Sequence, residues 1–449
     1  MLRFAQNDRT KMIPSTGGTN LETKQIELMP DVWLTTVRTR KFKTSCWGLQ
    51  LLTPLKRDTA AMNALLPSVL RRGTARLPEQ ASITDELDEL YGGSIEPTVS
   101  KRGDMQCIGF RAYFLDESCL PGGAALLERA AGLLGELLLH PATRNGRLRQ
   151  DYVLSERDNL IRRIESRRNN KRLYASQRIV EEMFAHTDYA VSRLGTLEEA
   201  QRITAMKLFR QYREVLEHAP IELFYCGSAP AERVELAWRE ALMGLPRAQT
   251  RYLVTTDSRR PPFEKVTYTR EQMSVRQGKL EMGFRVGFGI SDAMYPALMV
   301  ANAMFGGTPG SRLFRHVREK RGLCYYASSD LRSLKGLLTV SCGVDPANFA
   351  AAEEEILAQL TELQGGNFTN EEFEAAKRSV LRSMELAEDD PAALRNQWVR
   401  DRAGGEPFEI DRFRAQVRDV TETQAAAAAM EIVLYNVYEL TRGEEGDEA

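Results

Sequence analysis

Ser311-Arg312-Leu313-Phe314-Arg315-His316-Val317-Arg318-Glu319-Lys320-Arg321-Gly322-Leu323-Cys324-Tyr325-Tyr326 is the run on which the reading of this chain turns. It predicts a short helix over 310–318, a glycine-containing turn and a strand over 323–329. Judged by residue chemistry alone, Arg318 is a surface residue on a charged helix end. Tyr325 is a half-buried strand aromatic.

Around this run the pattern predicts a strand over 279–289, a helix over 294–305, a Gly-Thr turn, a strand over 337–343, and then long helices. The same order is predicted earlier in the chain. Strand-like runs Val32-Trp33-Leu34-Thr35-Thr36-Val37 and Cys46-Trp47-Gly48-Leu49-Gln50-Leu51-Leu52 precede a helix from about Thr59 to Leu70, closed by Gly73-Thr74. A short helix (Ser82 to Leu90) and strands Ser94 to Val99 and Met105 to Phe114 follow. Gly123 to Leu139 places Leu126, Leu127, Ala130, Leu133, Leu134, Leu137 and Leu138 on one apolar stripe. Helices over 147–168, 173–184 and 204–218 lead to the strand Ile221 to Cys226. Residues 1–24 are polar and suggest a loose arm or a short leading strand.

Leu70-Arg71-Arg72-Gly73-Thr74 matches Met304-Phe305-Gly306-Gly307-Thr308, and Arg202-Ile203-Thr204 matches Asp419-Val420-Thr421, at similar offsets. These cues imply two copies of one α+β domain. The polar, proline-containing stretch Thr250 to Phe263 separates them, giving expected domains over 1–250 and 251–449. Thr369-Asn370-Glu371-Glu372 and Thr421-Glu422-Thr423-Gln424 fit capping boxes that start helices.

The 449 residues exceed what one core holds, and 61 basic against 62 acidic residues leave no strong field of either sign. The Arg-rich stretch Arg162 to Arg172 reads as a solvated helix face, so no nucleic-acid partner is expected. No run of 18 apolar residues and no apolar leader occurs, which leads us to expect a soluble, cytoplasmic protein without a membrane role. Cys46, Cys107, Cys119, Cys226, Cys324 and Cys342 show no C-x-x-C spacing and read as free thiols.

His140, His186, His218 and His316 are the four histidines, and none shares an i, i+4 spacing with another. The first three sit at helix ends, a structural context. His316 and Cys324 lie close in sequence, but a thiolate nucleophile needs an orienting third group that is not visible. Phe305-Gly306-Gly307-Thr308-Pro309-Gly310 lacks the lysine of a phosphate loop and reads as a helix stop.

The 311–326 run strongly resembles the C-terminal-half signature of the pitrilysin/insulinase-like zinc peptidases, in which Gly-Gly-x-x-x-Ser-Arg-Leu-Phe leads to Val-Arg-Glu-Lys-x-Gly-Leu-x-Tyr. The resemblance extends from about residue 30 to residue 438. It includes Ala190-Val191-Ser192-Arg193-Leu194-Gly195-Thr196 and the 372–384 helix before Asp389-Asp390-Pro391. By this resemblance Arg318 and Tyr325 hold a peptide backbone and assist the reacting carbonyl oxygen at a zinc site supplied by another half. A guanidinium and a phenol are donors suited to that task.

Family peptidases carry H-x-x-E-H shortly before the Gly-Thr turn. Here the two histidine positions fall on Ala64 and Ser68 and the glutamate position on Pro67. The helix carrying the third ligand corresponds to Val153 to Arg168, where Glu156 and Glu165 make a poor site. The Asn-Ala of the family's peptide-binding edge strand is replaced near Ile95-Glu96.

The resemblance therefore implies an α+β fold of two homologous domains, each a mostly antiparallel sheet packed with helices and together forming half of a clamshell. It implies an inactive subunit of the bacterial processing-peptidase-like type, holding no metal itself, with zinc in a homologous partner subunit and a peptide as substrate. A structural or assembly scaffold is the second reading.

Overall fold

The computed structural model describes residues 10–12, 21–120, 125–259, 261 and 263–443. Two compact units form: one from Met1–Ile164, Val191–Thr255 and Ala387–Ala403, the other from Glu165–Ala190, Thr256–Leu386 and Gly404–Ala449. One stretch of the first unit stops at Thr255, within the polar connector Thr250 to Phe263. Two segments nevertheless cross that division, so neither unit is one continuous stretch of chain.

In the first unit the strands run in the order Thr10–Met12, Glu22–Met29, Val32–Arg38, Ile221–Gly227, Thr44–Pro54, Met105–Leu115, Ser94–Arg102. In the second the order is Thr267–Met273, Val433–Arg442, Gly278–Arg285, Leu337–Val344, Cys324–Arg332. The five strands of the second sheet repeat the last five of the first. In both, the pair at the same place is parallel (Val32–Arg38 with Ile221–Gly227, Thr267–Met273 with Val433–Arg442) and the other pairings are antiparallel. The α+β class and the internal duplication are thus both present. A strand over Glu22–Met29 was not resolved from sequence, where strand character begins at Asp31.

Central strands are buried on both faces: every residue of Ile221–Gly227 and of Gly278–Arg285 is buried. The stripe on helix Leu126–Leu139 enters the first core, with Leu133, Leu134, Leu137 and Leu138 at most 2% exposed. Both expected capping boxes form, as Thr369 with Glu372 and Thr421 with Gln424 exchange backbone and side-chain hydrogen bonds.

The two crossing segments are helices at corresponding places, each following a long helix of its own repeat (Gln150–Ser166 and Asn370–Ala387). Helix Lys171–Met183 belongs to the second unit, where Ala175, Ile179 and Val180 cluster with Leu337, Tyr438 and Leu440. Helix Pro391–Ala403 belongs to the first. There the Trp398 ring lies over Gly48, where an added Cβ would stand 3.0 Å from Cζ3. Glycine at 48 is what lets the indole approach the sheet.

Candidate functional site

Ala64, Pro67 and Ser68 lie on helix Arg57–Leu70. Ala64 is 1% exposed within the first core, and Pro67 is also buried. Pro67 lines an apolar niche with Leu51, Leu66, Ile108, Phe110 and Tyr212. Neither Ala64 nor Pro67 has a side-chain donor atom for a metal, and apolar walls disfavour a charged ion. The buried polar residue of this helix, Asn63, is spent on structure: it donates to Thr53 and Gln106 and accepts from Gln211 at 2.8 Å.

Glu156, on helix Gln150–Ser166, is engaged as well. Arg72 Nη1 holds its Oε1 at 3.0 Å and Asn159 donates to Oε2 at 3.1 Å. The residues at the family's ligand positions therefore do not fit zinc. Among the described residues no group of three or more His, Cys, Asp or Glu is arranged to hold a metal ion.

Arg318 and Tyr325 lie on either side of a turn by which a helix end passes straight into a sheet edge. Leu313–Lys320 is wound as a π-helix, and Arg321 N–H donates to His316 O at 3.1 Å, five residues back. Gly322 then takes φ +60°, a left-handed conformation that favours glycine. Its N–H bonds Arg318 O at 3.1 Å and Leu323 N–H bonds Val317 O at 3.0 Å, a nested pair that closes the helix end. Val317 is fully buried and anchors the turn.

The chain continues directly into Cys324–Arg332, the last strand of its sheet. Its register with Leu337–Val344 shifts between Cys324 and Tyr326, so Tyr325 is the extra residue of a β-bulge. Bulges re-aim side chains, and Tyr325 stands 75% exposed rather than half-buried as expected. The Arg318 side chain is 43% exposed, rests over the Phe314 ring at 4.8 Å and meets Glu319 at 3.4 Å.

Cys324 finds its hydrogen-bond partner in the Cys342 thiol rather than in His316; that bond and the nearby Arg318 charge hold it low, while Cys342 is pushed up. His316 is held below its usual range by burial and by Lys320, Arg312 and Arg315. A Cys-His nucleophile is not assembled.

Sequence reasoning passed over Glu281, which is fully buried at the middle of the second sheet. Ser341 Oγ and Ser176 Oγ donate to it at 2.7 and 3.1 Å. Burial pushes its carboxyl up to about 7, against the pull of these hydroxyls and of Arg172 and Arg332. A glutamate amid the apolar run Leu280-Glu281-Met282 was the available signal.

Residues 202–380 match the family model described as the peptidase M16 inactive domain. The chain is 32% identical over 417 residues to the probable inactive metalloprotease YmfF of Bacillus subtilis, covering 91% of this chain and 95% of that protein. It is 27% identical over 267 residues to an uncharacterized zinc protease of Streptomyces coelicolor, covering 57% of this chain and 58% of that one. Its fold matches a conserved protein of Enterococcus faecalis with a TM-score of 0.85 at 25% identity, over 96% of this chain and 100% of the other. A Pseudomonas fluorescens structure described as a peptidase M16 inactive domain matches with a TM-score of 0.76 at 17% identity, over 96% and 100%.

Proposed function

Since the chain belongs to the M16 family of pitrilysin- and insulinase-like peptidases, we propose that it is a non-catalytic member that binds peptide and completes the active site of a homologous, zinc-bearing partner. The reading rests on one contrast. The helix that should hold zinc presents Ala64 and Pro67 to an apolar core, while Arg318 and Tyr325 are held outward by a glycine turn and a bulge. A strand edge, a guanidinium and a phenol together offer donors to an extended peptide and to an oxygen developing negative charge. The resemblance to a probable inactive metalloprotease supports the non-catalytic part of this reading.

The test is peptide hydrolysis by the purified chain, alone and mixed with a homologue from the same cell that keeps H-x-x-E-H. We expect no hydrolysis alone and a large gain on mixing. In the mixture Arg318→Ala and Tyr325→Phe should each lower turnover by about 100-fold, the scale of losing one oxyanion donor. Zinc-dependent hydrolysis by the chain alone overturns the proposal, and inactivity in both settings favours a scaffold role.

A further inference from the structure

One face of the second sheet gathers two cations around a single aromatic ring. Register places Lys279, Gly343 and Tyr326 in one row across three neighbouring strands, with Tyr326 on the outermost, Cys324–Arg332. The Tyr326 ring lies over Gly343, where an added Cβ would collide with its Cε1. Lys279 Nζ stands 5.7 Å from the ring centroid, and the Arg172 guanidinium, carried by helix Lys171–Met183, stacks over the ring at 4.1 Å.

Neither cation has a carboxylate partner among the described residues. Lys279 is 9% exposed, and its ammonium, with three donors, bonds only to the neutral Gln277 Oε1, at 2.9 Å. Arg172 reaches only the Ser328 hydroxyl, at 3.4 Å. The carboxylate whose charge acts on both, Glu281, is fully buried and takes its hydrogen bonds from Ser341 and Ser176. Glu271 is held by Arg178, Tyr174 and Tyr438, and Asp330 by Arg332. Lys171 and Arg172 also stand in the first turn of their helix, where the dipole disfavours cations and no acidic residue offsets them.

A cation withdrawn from water without a counter-charge is strongly unfavourable, and such local conflicts concentrate at functional sites. The cluster is open to solvent, since Arg172 is exposed and Tyr326 and Ser328 are half-buried. Tyr326 and Ser328 meet the same arginine and so share one face of the edge strand. A peptide pairing along that edge would set every second side chain beside them. We propose that Lys279, Arg172 and Tyr326 form an anion site that takes the carboxylate of an acidic side chain from a peptide laid along Cys324–Arg332. The proposal rests on the peptide-binding reading above and gives the bound peptide a chemical class. The ammonium and the guanidinium supply charge-assisted hydrogen bonds, and the ring fixes where the two stand.

The test is fluorescence anisotropy of labelled, capped ten-residue peptides with the intact chain, one of alternating Val and Glu and one with Gln for every Glu. We expect the Glu peptide to bind at least about tenfold tighter, the scale of a well-made ion pair. Arg172→Gln and Lys279→Met should each reduce that preference to under about twofold. Arg168→Gln, at an exposed arginine of the same stretch, should leave it intact. Arg172 is exposed, so its variant reports on binding even where a change at Lys279 disturbs folding. A Glu preference unchanged by Arg172→Gln and Lys279→Met overturns the proposal. Calorimetry with inorganic phosphate alone identifies a free-anion site: phosphate binding lost in Arg172→Gln, together with equal binding of the two peptides, also overturns it. Equal binding of the peptides leaves the peptide-binding reading standing, whereas absence of binding by both overturns that reading too.

Discussion

The indole of Trp398 lies against the ring of Phe224, centroids 5.0 Å apart and planes tilted by 32°, joining a helix from the second repeat to the central strand of the first sheet. Trp398 has no solvent exposure. Removing so large a buried side chain costs about 3–5 kcal/mol. Trp398→Ala should therefore lower the unfolding free energy by that order in urea titrations, and new proteolytic cuts should fall within 21–120. The Trp398 Nε1–H has no acceptor, so Trp398→Phe keeps an aromatic contact without that buried donor and should lose clearly less.

Because two helices cross the connector, separate expression of 1–255 and 256–449 should give poorly soluble fragments. Each lacks the helix counted with its own unit. Co-expression of the pair should recover soluble protein. Two independently soluble, cooperatively folding fragments would contradict this view of the units.

Glu281 predicts a pH dependence whose sign is opposite to that of a salt-bridged carboxylate. Its folded-state value of about 7 lies above the ordinary 4.5, so the native state binds more protons than the unfolded chain between these values. Stability is greatest below about pH 4.5 for this group and falls as pH rises toward 7, by roughly 3 kcal/mol in all. Glu281→Gln keeps one acceptor oxygen and replaces the other with an amide donor that a serine hydroxyl can accept, while removing the ionisation. Thermal melts at pH 5 and 8 should differ more in the wild type than in this variant.

Arg318 and Tyr325 are exposed, so their loss should leave folding almost untouched. Arg318→Ala and Tyr325→Phe should each change the unfolding free energy by less than about 1 kcal/mol. A large shift in thermal melting would mean that their part is structural.

Rebuilding the metal motif should fail on packing grounds. Ala64→His, Pro67→Glu and Ser68→His together place larger, polar side chains beside Leu66, Ile108 and Phe110. Overpacking of this kind costs about 1–3 kcal/mol, and Glu156 remains held by Arg72. The triple variant should melt earlier than wild type and bind no stoichiometric zinc in metal analysis.

Much of this was legible in the chain itself, because periodicity and capping are local. Leu126–Leu139 declared its buried stripe, the boxes at Thr369 and Thr421 declared their helices, and the 311–326 run gave both the glycine turn and the strand after it. What stayed hidden depends on partners distant in sequence. Nothing around Arg395 announces that its stem will lie over Gly48, and nothing around Trp398 points to Phe224. The exposure of Tyr325 was misjudged for a related reason, since a bulge is a mismatch between two strands and one strand does not reveal it.

The placement of helix Pro391–Ala403 also sets a timetable for synthesis. Every strand of the first sheet has left the ribosome once Gly227 has emerged, yet the contacts that Trp398, Arg395 and Arg402 make with it must wait for residue 403. The first unit is thus completed only after residue 403 has emerged, long after its sheet, and until then Phe224 lacks its cover, a nascent state that would benefit from chaperone shelter.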